Sequence, residues 1–288
     1  MDALLKAGGS LTAYRANPLI GIGPRQGSWA DRLENEIENR FHVHHAVALN
    51  SGTAALHCAL AALALQPGAE VITSPISFSA TAAAVVLAGY VPVFADVDSD
   101  TFTLSLKTVK RAITQRTQAI LPVHLFGQMA VTDELASLGL PIVEDACQAV
   151  GSKRKGIYSG CAGLAGAYSF GGTKQVPAGE GGCLVTNSNA VARSARLLAN
   201  HAENFNVDSV GYNYRPSEVT CCIAWHGLKA LKDNTPFAIP YLVKERGPSD
   251  KPYINRPLHK MPAFTKYARG PLPVAERLCE RTLCIRPS

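Results

Sequence analysis

Five short, nearly continuous apolar runs constrain this chain most: AVALNS (46–51), EVITSP (70–75), VPVFADV (91–97), AILPVHLFG (119–127) and LPIVEDA (140–146). Each ends in a polar or turn residue, and stretches of helical period separate them. Strands this uniformly apolar must be covered on both faces, and their alternation with helices predicts an α/β fold with a mainly parallel sheet. GAYSF (166–170) and GGCLVTNS (181–188) read as two further strands. Trp29, Leu33, Ile37 and Phe41 recur every four residues after Ser28, an N-cap candidate, so 29–41 is expected to be an amphipathic helix. TAALHCALAALAL (53–65) is apolar almost all round, as a buried helix is. Helical period resumes from Asn189 and again over about 216–232. Beyond Leu231 the composition turns proline-rich, with one strand-like piece in PFAIPYLV. The expected division is therefore a large domain over 1–232 and a small C-terminal α+β region over 233–288.

With 288 residues, 47% hydrophobic and 17% charged, the chain is long and apolar enough to bury a core without staples. Its net charge of +6 is scattered, with only SKRKG (152–156) clustering, so a nucleic-acid partner is not expected. The eight cysteines form no CxxC pair and no zinc spacing, which predicts buried thiols in a reducing compartment and no metal site. His42, His44 and His45 in FHVHHAV read as surface and core residues rather than ligands. MDALLKAGGS lacks a signal pattern, and the apolar runs at 54–65 and 80–95 are too short or too interrupted to span a bilayer. The expectation is a soluble, cytoplasmic protein with no membrane partner.

In open α/β sheets ligands bind outside the carboxyl ends of strands, and three residue groups fall there. In NSGTAAL a helix opens at Ser51, Gly52 and Thr53, which suits a phosphate or is simply an N-cap. In VEDACQA, Asp145 directly follows an apolar strand, where a carboxylate needs a cation or several donors; alternatively it caps the next helix. Glu144, facing the other way, is given no role. In YSFGGTKQVPAGEGG, Lys174 lies among six glycines between Gly166 and Gly182. Such a lysine is either an ordinary loop residue or, in a dry pocket cleared for a flat ligand, a nucleophile, with Ser169 a phosphate donor. Gly179 and Gly181 suit a tight bend. Phosphate cradle, buried Asp and nucleophilic Lys together describe a pyridoxal 5′-phosphate site, since that cofactor needs a lysine for its aldehyde, an acid for its ring nitrogen and donors for its phosphate.

SGTAALHCAL, VPVFADVDSDTFTL, LPVHLFGQ, VEDACQAVGS, YSFGGTKQVPAGEGGCLVTN and GYNYRPSEV, in this order, closely resemble the signature segments of the PLP-dependent sugar aminotransferases of the DegT/DnrJ/StrS group. The likeness covers roughly 8–232, and weakly 252–285. It implies a PLP-transferase large domain built on a seven-stranded-type sheet, with a small domain that is reduced or incompletely represented here. By the resemblance Lys174 carries the cofactor as a Schiff base and shuttles protons. Asp145 pairs with the ring nitrogen, Gln148 lies near the ring hydroxyl, and Gly52, Thr53 and Ser169 match the phosphate positions. Phe78 matches the residue stacked on the ring, and Asn213 one that reaches the neighbouring subunit's phosphate, which implies a homodimer with shared sites. The implied reaction aminates a nucleotide-linked keto sugar or a keto-cyclitol from glutamate or glutamine, in amino-sugar or antibiotic biosynthesis. A dehydratase branch with histidine in place of the lysine does not fit Lys174. A PLP-binding homologue serving as regulator or partner subunit is the alternative. Relative to the family, several tens of residues are absent after GLKALKD and between LVKER and YINRPLHK, and Pro216 stands where methionine is common.

Overall fold

Every apolar run becomes a strand. The computed structural model describes residues 14–15, 23–24, 26–202, 210–247, 250 and 252–285. The runs form β1 (His45–Leu49), β2 (Glu70–Thr73), β3 (Val91–Phe94), β4 (Thr117–Leu121), β5 (Val143–Asp145), β6 (Ala165–Ser169) and β7 (Gly182–Thr186). Ladders give the orders β1–β7–β6–β5 and β3–β2–β4, and parallel bridges Ile120–Ile142 and Val123–Asp145 join them into one surface. β7 alone in this surface runs antiparallel to its neighbours, β6 and β1. The reason is the connection. Between Phe170 and Gly181 there is no helix to carry the chain back across the sheet, so β7 returns beside β6 as hairpin-connected strands must.

The helices follow the sequence pattern, with instructive differences at their ends. α1 (Trp29–Phe41) is capped by Ser28, whose Oγ accepts from Asp31 N at 3.1 Å. α2 (Gly52–Ala61) stops short of Leu65, because Ala64 takes a left-handed φ of 47° ahead of the Pro67–Gly68 turn. α3 (Ser79–Leu87), α4 (Leu106–Ala112) and α5 (Asn189–Ala199) follow. α6 (Glu218–Ala230) takes Ser217 as N-cap, so Pro216 precedes the first turn instead of entering it. α2 is buried on nearly every residue, as its all-round apolarity requires. Among the described residues all eight cysteines are free thiols, and Cys58, Cys183, Cys221 and Cys279 are buried. No helix of the described residues is long and apolar enough to cross a membrane.

The C-terminal segment adds β8 (Ile239–Leu242), α7 (Pro273–Arg281) and β9 (Thr282–Ile285), with β8 and β9 antiparallel. It shares one apolar cluster with the sheet: Phe237, Ala238, Ala275 and Leu278 pack with Ile76, Val97 and Val123, residues just past the ends of β2, β3 and β4. Asp96 secures this join by accepting from Val274 N and Ala275 N, the first turn of α7.

A second tie is Arg269, whose guanidinium donates twice to the fully buried Glu70 at the start of β2, at 2.6 and 3.1 Å. That pairing, with help from the Thr114 hydroxyl and Arg116, holds the Glu70 carboxyl down at about 2. A depressed folded-state value stabilises the fold above the ordinary carboxyl range, and that stability is lost as pH falls from about 4.5 toward 2. Arg269→Met, which strands a buried carboxylate beside its remaining partners, is expected to cost about 3 kcal/mol near neutral pH and to flatten the acid loss of stability. Urea denaturation across this pH range measures both.

Candidate active site

The carboxyl ends of β1, β5 and β6 converge on a cavity of about 270 Å³ lined by Gly52, Thr53, Phe78, Thr81, Asp145, Cys147, Gln148, Ser169 and Lys174, together with Thr173, Glu180 and Tyr253. Seven of the eight residues singled out from the sequence therefore share one space. Asn213 does not: it is exposed and outside this lining, and its carbonyl accepts from Asn50 Nδ2 at 3.3 Å.

The cradle is shaped by missing side chains. A Cβ on Gly52 would lie 2.8 Å from Ser169 Cβ and 2.9 Å from Cys147 Sγ, so no larger residue fits where α2 meets β6. Gly182 admits the Ser51–Gly52 backbone in the same way, with a Cβ only 2.4 Å from Ser51 C. Ser51 Oγ accepts from Ala54 N and Ser51 O from Ala55 N, which leaves the Gly52 and Thr53 amides with no intrahelical acceptor. These amides, the hydroxyls of Thr53 and Ser169 and the positive end of α2 form a donor set suited to a phosphate. The loop back from Lys174 bends at Gly179 and Gly181, with φ of 81° and 139° that favour glycine.

Asp145, 4% exposed at the end of β5, accepts from the Thr81 hydroxyl at 2.6 Å and from Cys147 N at 3.2 Å. Ser77 Oγ lies 2.6 Å from Thr81 Oγ1 and fixes that hydroxyl in turn. Burial and then the Asp145 charge push the Cys147 thiol well above its ordinary range, so it stays protonated beside the cradle. Gln148 Oε1 accepts from Phe126 N, leaving its Nε2 for the cavity. Phe78, 64% exposed, forms part of the rim. Lys174 is half-buried, and its Nζ sits 4.7 Å from the centroid of Phe237. A half-buried lysine, a buried carboxylate and a small-residue cradle lining one cavity match the set of groups that pyridoxal phosphate requires.

Two features were not foreseen from the sequence. Thr81 orients Asp145 from α3, three residues after Phe78, and one helical turn is the only local hint of it. Glu144, given no role beforehand, is fully buried and turned from the cavity; it accepts from Ala162 N and Gly163 N at 2.7 and 2.6 Å and from His124 Nε2 at 2.7 Å. Because His124 Nδ1 accepts from Ala130 N, the imidazole proton lies on Nε2, toward Glu144. This network anchors the loop before β6 and so the level at which Ser169 and Lys174 leave it. His42 and His44 are exposed and His45 is half-buried, and no cluster able to hold a metal occurs among the described residues.

The model of the DegT/DnrJ/EryC1/StrS aminotransferase family matches residues 22–236. The chain belongs to this family. Among curated relatives, a pleiotropic regulatory protein of Geobacillus stearothermophilus is 38% identical over 204 residues, 68% of this chain and 55% of that one. A GDP-perosamine synthase of Caulobacter vibrioides is 38% identical over 216 residues, 72% of this chain and 58% of that one. The chain thus spans little over half the length of these relatives. A solved DegT/DnrJ/EryC1/StrS aminotransferase from Brucella abortus superposes with a TM-score of 0.84 at 27% identity, covering 91% of this chain and 85% of that one. The mainly parallel sheet expected from the sequence is this family's fold.

Thr81→Val removes the hydroxyl that donates to a buried carboxylate while keeping the shape of the side chain. It is expected to destabilise the protein by about 2 kcal/mol, read as a lower denaturant midpoint at unchanged slope.

Proposed function

We propose that the protein is a pyridoxal-phosphate-dependent aminotransferase that transfers an amino group from glutamate or glutamine to a nucleotide-linked keto sugar or a keto-cyclitol, in amino-sugar or antibiotic biosynthesis. The observation that carries this reading is the meeting of Lys174, Asp145 and the Gly52–Ser169 cradle in one cavity. The family supports it, as does the name of the Caulobacter relative, a synthase of a GDP-linked sugar. When bound, pyridoxal phosphate supplies an aldehyde that takes up an amino group and a ring that accepts the electron pair left when a carbon–hydrogen bond breaks.

The chain's own residues divide the remaining work. Thr53, Ser169 and the first amides of α2 hold the phosphate, with Gly52 allowing the close approach. Asp145, steadied by Thr81, holds a protonated ring nitrogen. Gln148 Nε2 orients the ring hydroxyl, and Phe78 covers the ring face. Lys174 Nζ would hold the aldehyde and, once the donor's amine has taken its place and freed it, would be the group that takes up a proton and returns it. The apolar cluster at the ends of β2–β4 limits the access of water from that side.

Residues 1–232 make the cofactor-binding domain in this reading, and 233–288 a small domain that is reduced or incompletely represented. We further read the working unit as a cytoplasmic homodimer in which Asn213, lying outside its own cavity, serves the neighbour's phosphate. The exposed apolar residues Phe78, Val86 and Leu87 on and before α3 suit burial in such a pair. A second reading, a cofactor-binding regulator, draws on the name of the Geobacillus relative.

The test is to incubate the protein with glutamate or glutamine and a series of GDP-, UDP- and TDP-linked keto sugars and keto-cyclitols, and to follow the amino product by mass. Amino-sugar or aminocyclitol formation is expected, abolished in Lys174→Ala and lowered in kcat/KM by about 10³-fold in Asp145→Asn. If no donor yields its keto acid even in the absence of acceptor, the enzyme reading falls and the regulatory one takes its place.

A further inference from the structure

Lys174 Nζ makes no hydrogen bond or ion pair with any described residue; its contact is the face of the Phe237 ring, 4.7 Å from the centroid. The ring is held there firmly. Phe237 is 4% exposed, its N–H donates to Phe126 O at 3.2 Å, and Tyr253 packs edge-on against it with centroids 5.5 Å apart and planes at 71°. Gly127 makes the approach possible: its φ is 95°, and a Cβ there would lie 3.1 Å from Phe237 N and 3.2 Å from Pro236 Cα. Phe237 also follows directly on the stretch matched by the family model, where this chain passes from α6 into β8 within a few residues.

We propose that Phe237 is a positioning residue that holds the amine of Lys174 whenever that amine is not bonded to the cofactor, and so favours the free-lysine states over the lysine-bound one. The inference rests on reading the cavity as a pyridoxal phosphate site. An ammonium within about 6 Å of a ring face is attracted by the ring quadrupole. Bonding to the aldehyde forms a carbon–nitrogen double bond, releases water, and draws the nitrogen off the ring toward the cofactor. The cation–π contact is then lost. Pyridoxamine 5′-phosphate, having no aldehyde, leaves the lysine where it is.

Cofactor-free wild type, Phe237→Leu and Phe237→Tyr are titrated with pyridoxal 5′-phosphate, read by absorbance, and with pyridoxamine 5′-phosphate, read by calorimetry. The quantity compared is the ratio of the two dissociation constants, pyridoxamine form over pyridoxal form, in which general damage to packing cancels. Phe237→Leu is expected to raise this ratio about two- to fivefold, the size of an ordinary cation–π contact, and Phe237→Tyr to restore the wild-type value. Gly127→Ala, which displaces the Phe237 backbone, raises it in the same direction. An unchanged or lowered ratio in Phe237→Leu overturns the proposal. Wild type that binds neither compound overturns the cofactor reading itself, a result distinct from an unchanged ratio.

Discussion

A carboxylate buried at the end of a central strand sets the terms for this structure. Asp145 can accept about four hydrogen bonds, and among the described residues it accepts from Thr81 Oγ1 and Cys147 N. Asp145 lines the cavity, and on the proposed reading its remaining acceptor capacity would serve a cationic ring nitrogen there. Around that carboxylate the chain gathers an anion cradle and the amine of Lys174 in one cavity. On the proposed reading the positive helix end would take the phosphate and the carboxylate the ring nitrogen, which would set how a flat phosphorylated ligand lies.

The route of the chain makes this arrangement possible. Had β6 been followed by a crossover helix, the residues after Ser169 would have left the sheet's carboxyl edge. Instead the helix-free stretch from Phe170 to Gly181 stays at that edge, presents Lys174 and returns as the reversed strand β7. The reversal brings Gly182 against the Ser51–Gly52 backbone, closing the cradle. Glu144 and His124 brace the opposite face of β5 and the approach to β6. The reversed strand, the closed cradle and the placing of Lys174 at this edge follow from one connection.

Much of this was legible in the sequence because it is local. Continuous apolar runs announce covered strands, Ser28 announces a cap, and the glycines around Lys174 announce close approach. What escaped is long-range. The direction of β7 depends on what lies before it rather than on GGCLVTNS itself. Thr81 gains its meaning from a carboxylate 64 positions away, and Phe237 from a lysine in a different loop. Helix α2 looked longer because its apolar composition continues to Leu65, whereas backbone conformation at Ala64 ends it first. Asn213, joined to the site only by the family resemblance, lies outside the lining of this cavity.

The central claim is that Lys174 is the residue that bonds the cofactor. Protein saturated with pyridoxal 5′-phosphate and reduced with borohydride fixes that bond, and peptide mass mapping then locates it. The account predicts a single pyridoxyl-modified lysine, in the peptide carrying GGTKQVPAGEGG. A label on another lysine, or none on this peptide from protein that has taken up the cofactor, contradicts it.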